Sequence, residues 1–187
     1  IFRCETKMTS PLLRLREVPG FVEAHTFHRT EEESHKQIEE AIGIYKRILE
    51  FIGLPWIIVK CPDWDLFPGA YYQYDFITVM PNGKLLELAS VINLGQKFSK
   101  AFEIRFQDKD LKWKFVYQTC YGIGIDRIIG AVIGLFSDDI GLMFHPDISP
   151  EDFVVVPIPK AENKEKIEEY SNRVYRRLRE MGFKGTI

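Results

Sequence analysis

Two short stretches of the chain gather residue types that can handle anions. Near the start, Phe2-Arg3-Cys4-Glu5 places Arg3 and Glu5 two residues apart, which in a strand puts both side chains on one face. The planar fork of an arginine can hold a phosphate and a carboxylate, and a neighbouring glutamate can accept from an amino group such as that of adenine. A basic loop with Lys7 follows, and the return segment carries Arg14 and Arg16. Taken alone, solvated charges on a surface strand pair account for this stretch at least as well. The second stretch is Gly122-Ile123-Gly124-Ile125-Asp126-Arg127. Glycines at a strand end leave bare backbone for a ligand to lie against, and an arginine opening a helix can meet a phosphate. It is not a dinucleotide fingerprint, because Arg127 stands where the third glycine would be.

Several elements must position these residues. The first eighteen residues read as two short strands around a polar loop with Lys7, Thr9, Ser10 and Pro11. Phe21 to His28 alternates as a strand. Thr30-Glu31-Glu32-Glu33 is a capping box, with Glu33 reaching back. The helix it opens carries Ile38, Ala41, Ile42, Tyr45, Leu49 and Ile52 on one stripe, and Gly53 and Pro55 end it. A short strand over Trp56 to Val59, a loop from Cys61 to Tyr71, and a hairpin turning at Met80-Pro81-Asn82-Gly83 follow. Phe115 to Tyr121 is a further strand feeding the glycine segment, and the helix over Ile128 to Phe136 is apolar nearly all round, which predicts burial. Beyond Pro146 to Pro150 the pattern changes to a buried strand, Phe153 to Ile158, and a helix over Asn163 to Met181 with Ile167, Tyr170, Val174, Leu178 and Met181 in register. One strand and one helix cannot cover both faces of a sheet, so the chain is expected to belong to a longer polypeptide.

The 187 residues are 45% hydrophobic, enough for one sizeable core. A net charge of −2 argues against coating nucleic acid through bulk charge. The three cysteines, Cys4, Cys61 and Cys120, have no paired spacing, so neither a disulfide framework nor a CxxC zinc site is indicated. A reducing, cytoplasmic setting is the default expectation, with no membrane partner. His25, His28 and His35 read as core and surface residues rather than as a metal site, and Cys120 reads as a buried structural cysteine before a reactive thiol. The cluster Arg173, Arg176, Arg177, Arg179 and Lys184 is either a tRNA-facing surface or a solvated helix face with its glutamates.

In order and spacing the two anion-handling stretches resemble motifs 2 and 3 of the class II aminoacyl-tRNA synthetases: FRCETKMTSPLLRLREVPGFVEAHTFH and YQTCYGIGIDRIIGAVI. The text between them is similar to the prolyl type, most of all its archaeal and eukaryotic form, in DLFPGAYYQYDFITVMPNGKLLELASVINLGQKFSKAFEIRF and GLMFHPDISPEDFVVVPI. That resemblance implies an α+β fold: an antiparallel-sheet catalytic core with flanking helices over residues 1–148, then the start of an α/β anticodon-binding domain over 149–187.

The activity it implies is ATP-dependent formation of prolyl-adenylate and transfer to tRNA(Pro), with ATP and Mg2+ as cofactors and a homodimer for the full-length protein. By the same resemblance Arg3 and Arg127 would be the catalytic arginines, and Arg3 would bridge the α-phosphate and the proline carboxylate. Glu5 would read adenine, Arg14, Ser90 and Arg127 would hold ATP, and Glu87 would stand near the nucleotide or its metal. Phe21, Glu23, His25 and Phe67 would shape the prolyl pocket. The chain departs from the family pattern in lacking motif 1, in Ile92 where a pocket histidine is usual, in Glu87 where glutamine is common, and in Asp126 beside the phosphate-binding arginine. These departures leave two further readings: a class II enzyme for another small amino acid such as threonine, or a non-catalytic synthetase-like protein that binds tRNA or a partner.

Overall fold

The computed structural model describes residue 2, residue 4, residue 6 and residues 8–187. Arg3 and Glu5 therefore lie outside the described residues. The chain divides into two compact units, Ile1–Met143 and Phe144–Ile187.

The first unit is built on five antiparallel strands. They are β1 (Phe21–His28), β2 (Ile57–Lys60), β3 (Tyr72–Val79), β4 (Leu85–Gly95) and β7 (Tyr117–Gly124), in the order β1-β7-β4-β3-β2. One face of this sheet is covered by the long helix α1 (Glu31–Ile52), whose stripe Ile38, Ala41, Tyr45 and Leu49 is buried. Thr30 caps α1 by accepting from the Glu33 N–H at 3.1 Å. Glu33 reaches one residue further back than a capping box requires, to the Arg29 N–H at 3.0 Å and its guanidinium at 2.7 Å. Gly53, at φ +77°, ends the helix. Tyr45 meets Phe76 of β3 and Tyr121 of β7 edge-on, each with ring centroids 6.1 Å apart. Phe76 is fully buried and is the largest such side chain in the core.

Between β4 and β7 the chain forms three elements that periodicity did not reveal: a one-turn helix α2 (Lys97–Ala101) and a small hairpin of β5 (Arg105–Gln107) and β6 (Trp113–Phe115). The strand expected over Phe115 to Tyr121 is thus split at Val116, whose N–H bonds to Ile104 instead. At the start of the chain the expected strand pair is reduced, among the described residues, to two isolated bridges, Phe2 with Glu17 and Ser10 with Arg14. The helix α3 (Ile125–Leu135) is not buried all round: Ile128, Ala131 and Val132 are, whereas Ile125 and Ile129 are exposed. Its apolar sequence exceeds what this unit packs against it.

The second unit is a parallel pair, β8 (Phe153–Val154) and β9 (Gly185–Thr186), joined through α4 (Lys164–Glu180). The buried strand expected to reach Ile158 stops at Val154, and Val154, Val156 and Ile158 are exposed, because only one face of the pair meets α4. Tyr170 and Met181, expected on the packed stripe, are exposed as well. Tyr170 lies under the Arg173 guanidinium at 5.1 Å, while Tyr175 packs on Phe153.

Phe76→Ala removes the ring that joins α1 to the sheet and leaves a cavity with fixed walls. It is expected to cost about 3–5 kcal/mol of stability by urea denaturation; a loss under about 1 kcal/mol would contradict this packing.

Candidate active site

Because side chains alternate along a strand, the register decides which residues share a face. Glu23 pairs with Gly122, Gly122 with Ser90, and Ser90 with Asp75. Two residues along, His25 pairs with Cys120, Cys120 with Ile92, and Ile92 with Gln73. These two rows cross four strands on the face opposite α1. Their members on β1, β7 and β4 floor a cavity of about 500 Å³, roofed in part by Leu12 to Leu15 and bounded by Phe67 and Phe98. Every site residue named from the sequence and lying among the described residues lines this one cavity: Arg14, Phe21, Glu23, His25, Phe67, Glu87, Ser90 and Arg127.

Glu87 reaches that face only through an irregularity. It is three residues from Ser90, a spacing that in a regular strand puts two side chains on opposite faces. The register of β3 on β4 shifts between Phe76 and Ile77, so Leu88 is skipped in the pairing. The bulge restores Glu87 to the cavity, where its Oε1 lies 2.8 Å from Ser90 Oγ.

At one end of the cavity the charges form a chain. Arg127, on the first turn of α3, donates to the Glu87 carbonyl at 3.0 Å and lies 3.8 Å from its carboxylate. Ser90 Oγ stands 2.7 Å from Asp75 Oδ1 as well as close to Glu87, so its single hydroxyl hydrogen faces two carboxylates. Asp75 also accepts from Gln73 Nε2 at 2.8 Å and from the Cys61 thiol at 3.0 Å. Gln73 in turn accepts the Phe67 N–H at 2.8 Å. Asp75 therefore ties the loop bearing Phe67 to the arginine end. Gly69 lets that loop close: at φ +101°, a Cβ there would sit 2.6 Å from the Phe98 ring.

Asp126 faces Gly20 and accepts its N–H at 3.0 Å, and Ile125 N–H bonds to the Gly20 carbonyl at 2.8 Å. The acid that looked misplaced beside a phosphate site thus latches the start of β1 to α3. The bare backbone expected at Gly122 is taken by Phe21, whose ring would lie 3.1 Å from an added Cβ.

The other end is apolar, with Ala70, Ile92, Leu94 and Cys120 in one buried cluster against Leu66 and Phe98. Here Glu23 Oε1 lies 3.3 Å from His25 Nε2 and accepts from the Cys120 thiol at 3.3 Å. Burial and then Glu23 push the Cys120 thiol up to about 12, and burial and Asp75 do the same for Cys61. The three histidines do not converge: His28 bonds to Thr26 and His35 to Tyr72. Gln118, unremarked in the sequence, is buried on the cavity side of β7, and its Oε1 finds no donor among the described residues. Its signal was positional, two residues before Cys120 on the same face, and only the register exposes it.

Residues 1–136 match the family model described as the tRNA synthetase class II core domain (G, H, P, S and T), and the chain belongs to that family. Among its relatives, the chain is 44% identical over 178 residues to the proline–tRNA ligase of Methanocaldococcus jannaschii, covering 95% of this chain and 39% of the relative. It is 48% identical over 157 residues to that of Methanococcus maripaludis, covering 84% and 34%. Among solved structures it is similar to Giardia lamblia prolyl-tRNA synthetase in complex with prolyl-adenylate, with a TM-score of 0.88 and 33% identity, over 100% of this chain and 38% of that one. The Cryptosporidium parvum enzyme complexed with L-proline and AMP superposes with a TM-score of 0.90 at 27% identity, over 100% and 40%. The chain thus spans between about a third and two fifths of the length of these relatives.

Both buried thiols are raised from 9.0 to about 12, so the fold favours their protonated form. Their contribution to stability is complete below pH 9 and is lost as pH rises toward 12. At pH 8 iodoacetamide is expected to label exposed Cys4 and spare Cys61 and Cys120, giving one adduct by mass spectrometry in the native state and three in urea. Rapid native labelling of Cys120 would contradict the burial described.

Proposed function

We propose that the cavity activates proline as its adenylate, as one step of proline–tRNA ligation. The observation that carries this reading is the polarity of the cavity. A carboxylate beside apolar and aromatic walls, Glu23 with Phe67 and Ile92, lies toward one end, and Arg127 on the first turn of a helix lies toward the other. A small apolar ring bearing a secondary ammonium suits the first end, and a nucleotide phosphate suits the second. The relatives' names and the ligands of the two similar structures agree with it.

On this reading the proline ammonium pairs with Glu23, and Phe21, His25 and Phe67 enclose the ring. A proline carboxylate oxygen attacks the α-phosphorus of ATP, a P–O bond forms, and pyrophosphate departs with the electrons of the bond that breaks. Arg127 and Arg14 hold the phosphates, and Arg3 bridges the α-phosphate and the carboxylate. Glu5 reads adenine. No residue is asked to act as a base, since the nucleophile is already an anion; catalysis comes from alignment and charge neutralisation. Glu87 and Ser90 present hard oxygen donors at the arginine end, a set that fits Mg2+. When bound there, the ion would offset phosphate charge. Transfer then follows as a tRNA(Pro) terminal hydroxyl attacks the acyl carbon and AMP leaves.

The same reading makes residues 1–148 the catalytic core and 149–187 the opening of an anticodon-binding domain. Exposed Arg173, Arg176, Arg177 and Arg179 on α4 support a tRNA-facing role for that unit. It also carries a homodimeric full-length protein.

Amino-acid-dependent ATP–pyrophosphate exchange by the full-length protein tests the reading. Exchange is expected with proline, with Arg127→Ala lowering kcat/KM about a hundredfold or more and Glu23→Gln raising KM for proline. Exchange with threonine instead would move the specificity to another small amino acid. No exchange with any amino acid would leave a binding protein without catalysis.

A further inference from the structure

At the apolar end of the cavity, three side chains of different chemistry meet. Glu23 Oε1 lies 3.3 Å from His25 Nε2 and 3.3 Å from Cys120 Sγ, and Cys120 Sγ lies 3.9 Å from His25 Nε2. Among the described residues this is the one group of three His, Cys or carboxylate side chains gathered closely enough to hold an ion. All three project from the middle of paired strands: Glu23 and His25 are two apart on β1, and Cys120 faces His25 across the ladder on β7. The sheet, not a loop, sets their spacing.

That spacing can be compared with a metal's requirement. Zinc bonds run about 2.0–2.1 Å to nitrogen and oxygen and about 2.3 Å to sulfur, in a tetrahedron. Tetrahedral angles then separate oxygen from nitrogen by about 3.3 Å, and either from sulfur by about 3.5–3.6 Å. Two of the three edges already agree to within a few tenths of an ångström, and the third closes by a small turn of the half-exposed His25 ring. Thiolate, imidazole and carboxylate together form a set for zinc and its borderline neighbours, whereas Mg2+ and Ca2+ demand oxygen alone. A second observation points the same way. The buried Gln118 Oε1, two residues from Cys120 on the same face, lacks a donor among the described residues and lines the same cavity. It is suited to accept from a water on the ion's remaining position.

We propose that Glu23, His25 and Cys120 form a three-ligand site for zinc or a similar divalent transition ion, with the fourth position open to the cavity. Binding is simple ligation: the Sγ–H proton passes to solvent as the metal–sulfur bond forms, Glu23 binds as carboxylate and His25 as neutral imidazole, and nothing is oxidised or reduced. One consequence rests on the proposed function. A divalent ion on Glu23 repels a substrate ammonium and competes with it for the same carboxylate, so zinc and proline exclude each other, and free zinc acts as a reversible brake on activation.

Cobalt titration of the full-length protein tests the site without any assay of activity. Cobalt is expected to give a sulfur-to-metal absorption band and intense visible bands of a tetrahedral centre, bleached by zinc. Cys120→Ser should abolish these features while circular dichroism stays native, and Cys4→Ser should retain them. No such bands in folded protein, or bands that persist in Cys120→Ser, would overturn the site. Proline added to cobalt-loaded protein should bleach the bands. Bands untouched by proline, in protein that still catalyses proline-dependent exchange, would overturn the exclusion and leave the proposed function standing. Bands untouched in protein that exchanges nothing with proline would count against that function.

Discussion

The pairing register of β1 on β7 and of β7 on β4 is the constraint on which the rest of the structure depends. A slip of one residue in either ladder would turn Glu23 and His25, or Cys120, onto the α1 side of the sheet. Burial makes that slip costly. Val91, Thr119 and Phe76 occupy the opposite face with almost no exposure, and a slip that carried Glu23 or Asp75 to that side would bury a carboxylate. The helix α1, packed on the other face of the sheet, thereby fixes the chemistry on the far side. Its cap and its Gly53 stop set where the stripe Ile38, Ala41, Tyr45 and Leu49 falls, and the stripe holds the register.

The two ends of the cavity serve opposite electrostatic needs. At the arginine end, charges face charges through a chain of hydrogen bonds with Asp75 at its centre, so each carboxylate has a donor and the arginine has an anchor. At the other end, Glu23 stands as a lone carboxylate over an apolar cluster, partnered by a half-exposed histidine and a protonated thiol. An ammonium entering there replaces weak partners by a full opposite charge in a partly desolvated setting, where Coulomb attraction is stronger than in water. That asymmetry would orient a zwitterionic substrate with its carboxylate toward the phosphates.

Much of this was legible in the sequence, for physical reasons that differ by element. The helix α1 was clear because capping, stripe and stop signals all agreed. Strand β1 was clear from alternation, and the β3–β4 hairpin from the turn at Met80-Pro81-Asn82-Gly83. The small elements α2, β5 and β6 were not, since they are held by contacts such as Ser99 Oγ to the Val116 carbonyl at 2.6 Å rather than by periodicity. The apolar pattern of α3 and of Phe153 to Ile158 signalled hydrophobic surface correctly but not its burial, which depends on what packs against it. In the site, residue types in the glycine segment drew attention by themselves, whereas Phe21, Glu23, His25 and Phe67 were named through the family resemblance. Gln118, Asp75 and the bulge at Leu88 were invisible, because their importance lies in cross-strand pairing that no local pattern encodes. Asp126 stood out only as a charge next to Arg127; that its carboxylate accepts the distant Gly20 N–H is likewise a contact no local pattern encodes.

The most direct test is a crystal structure of the full-length protein with a non-hydrolysable prolyl-adenylate analogue. The expected result places the pyrrolidine ring over Glu23, His25 and Cys120, with its nitrogen within hydrogen-bonding distance of Glu23 and the phosphate mimic beside Arg127. An analogue lying in the reverse direction, or bound away from this face of the sheet, would contradict the account.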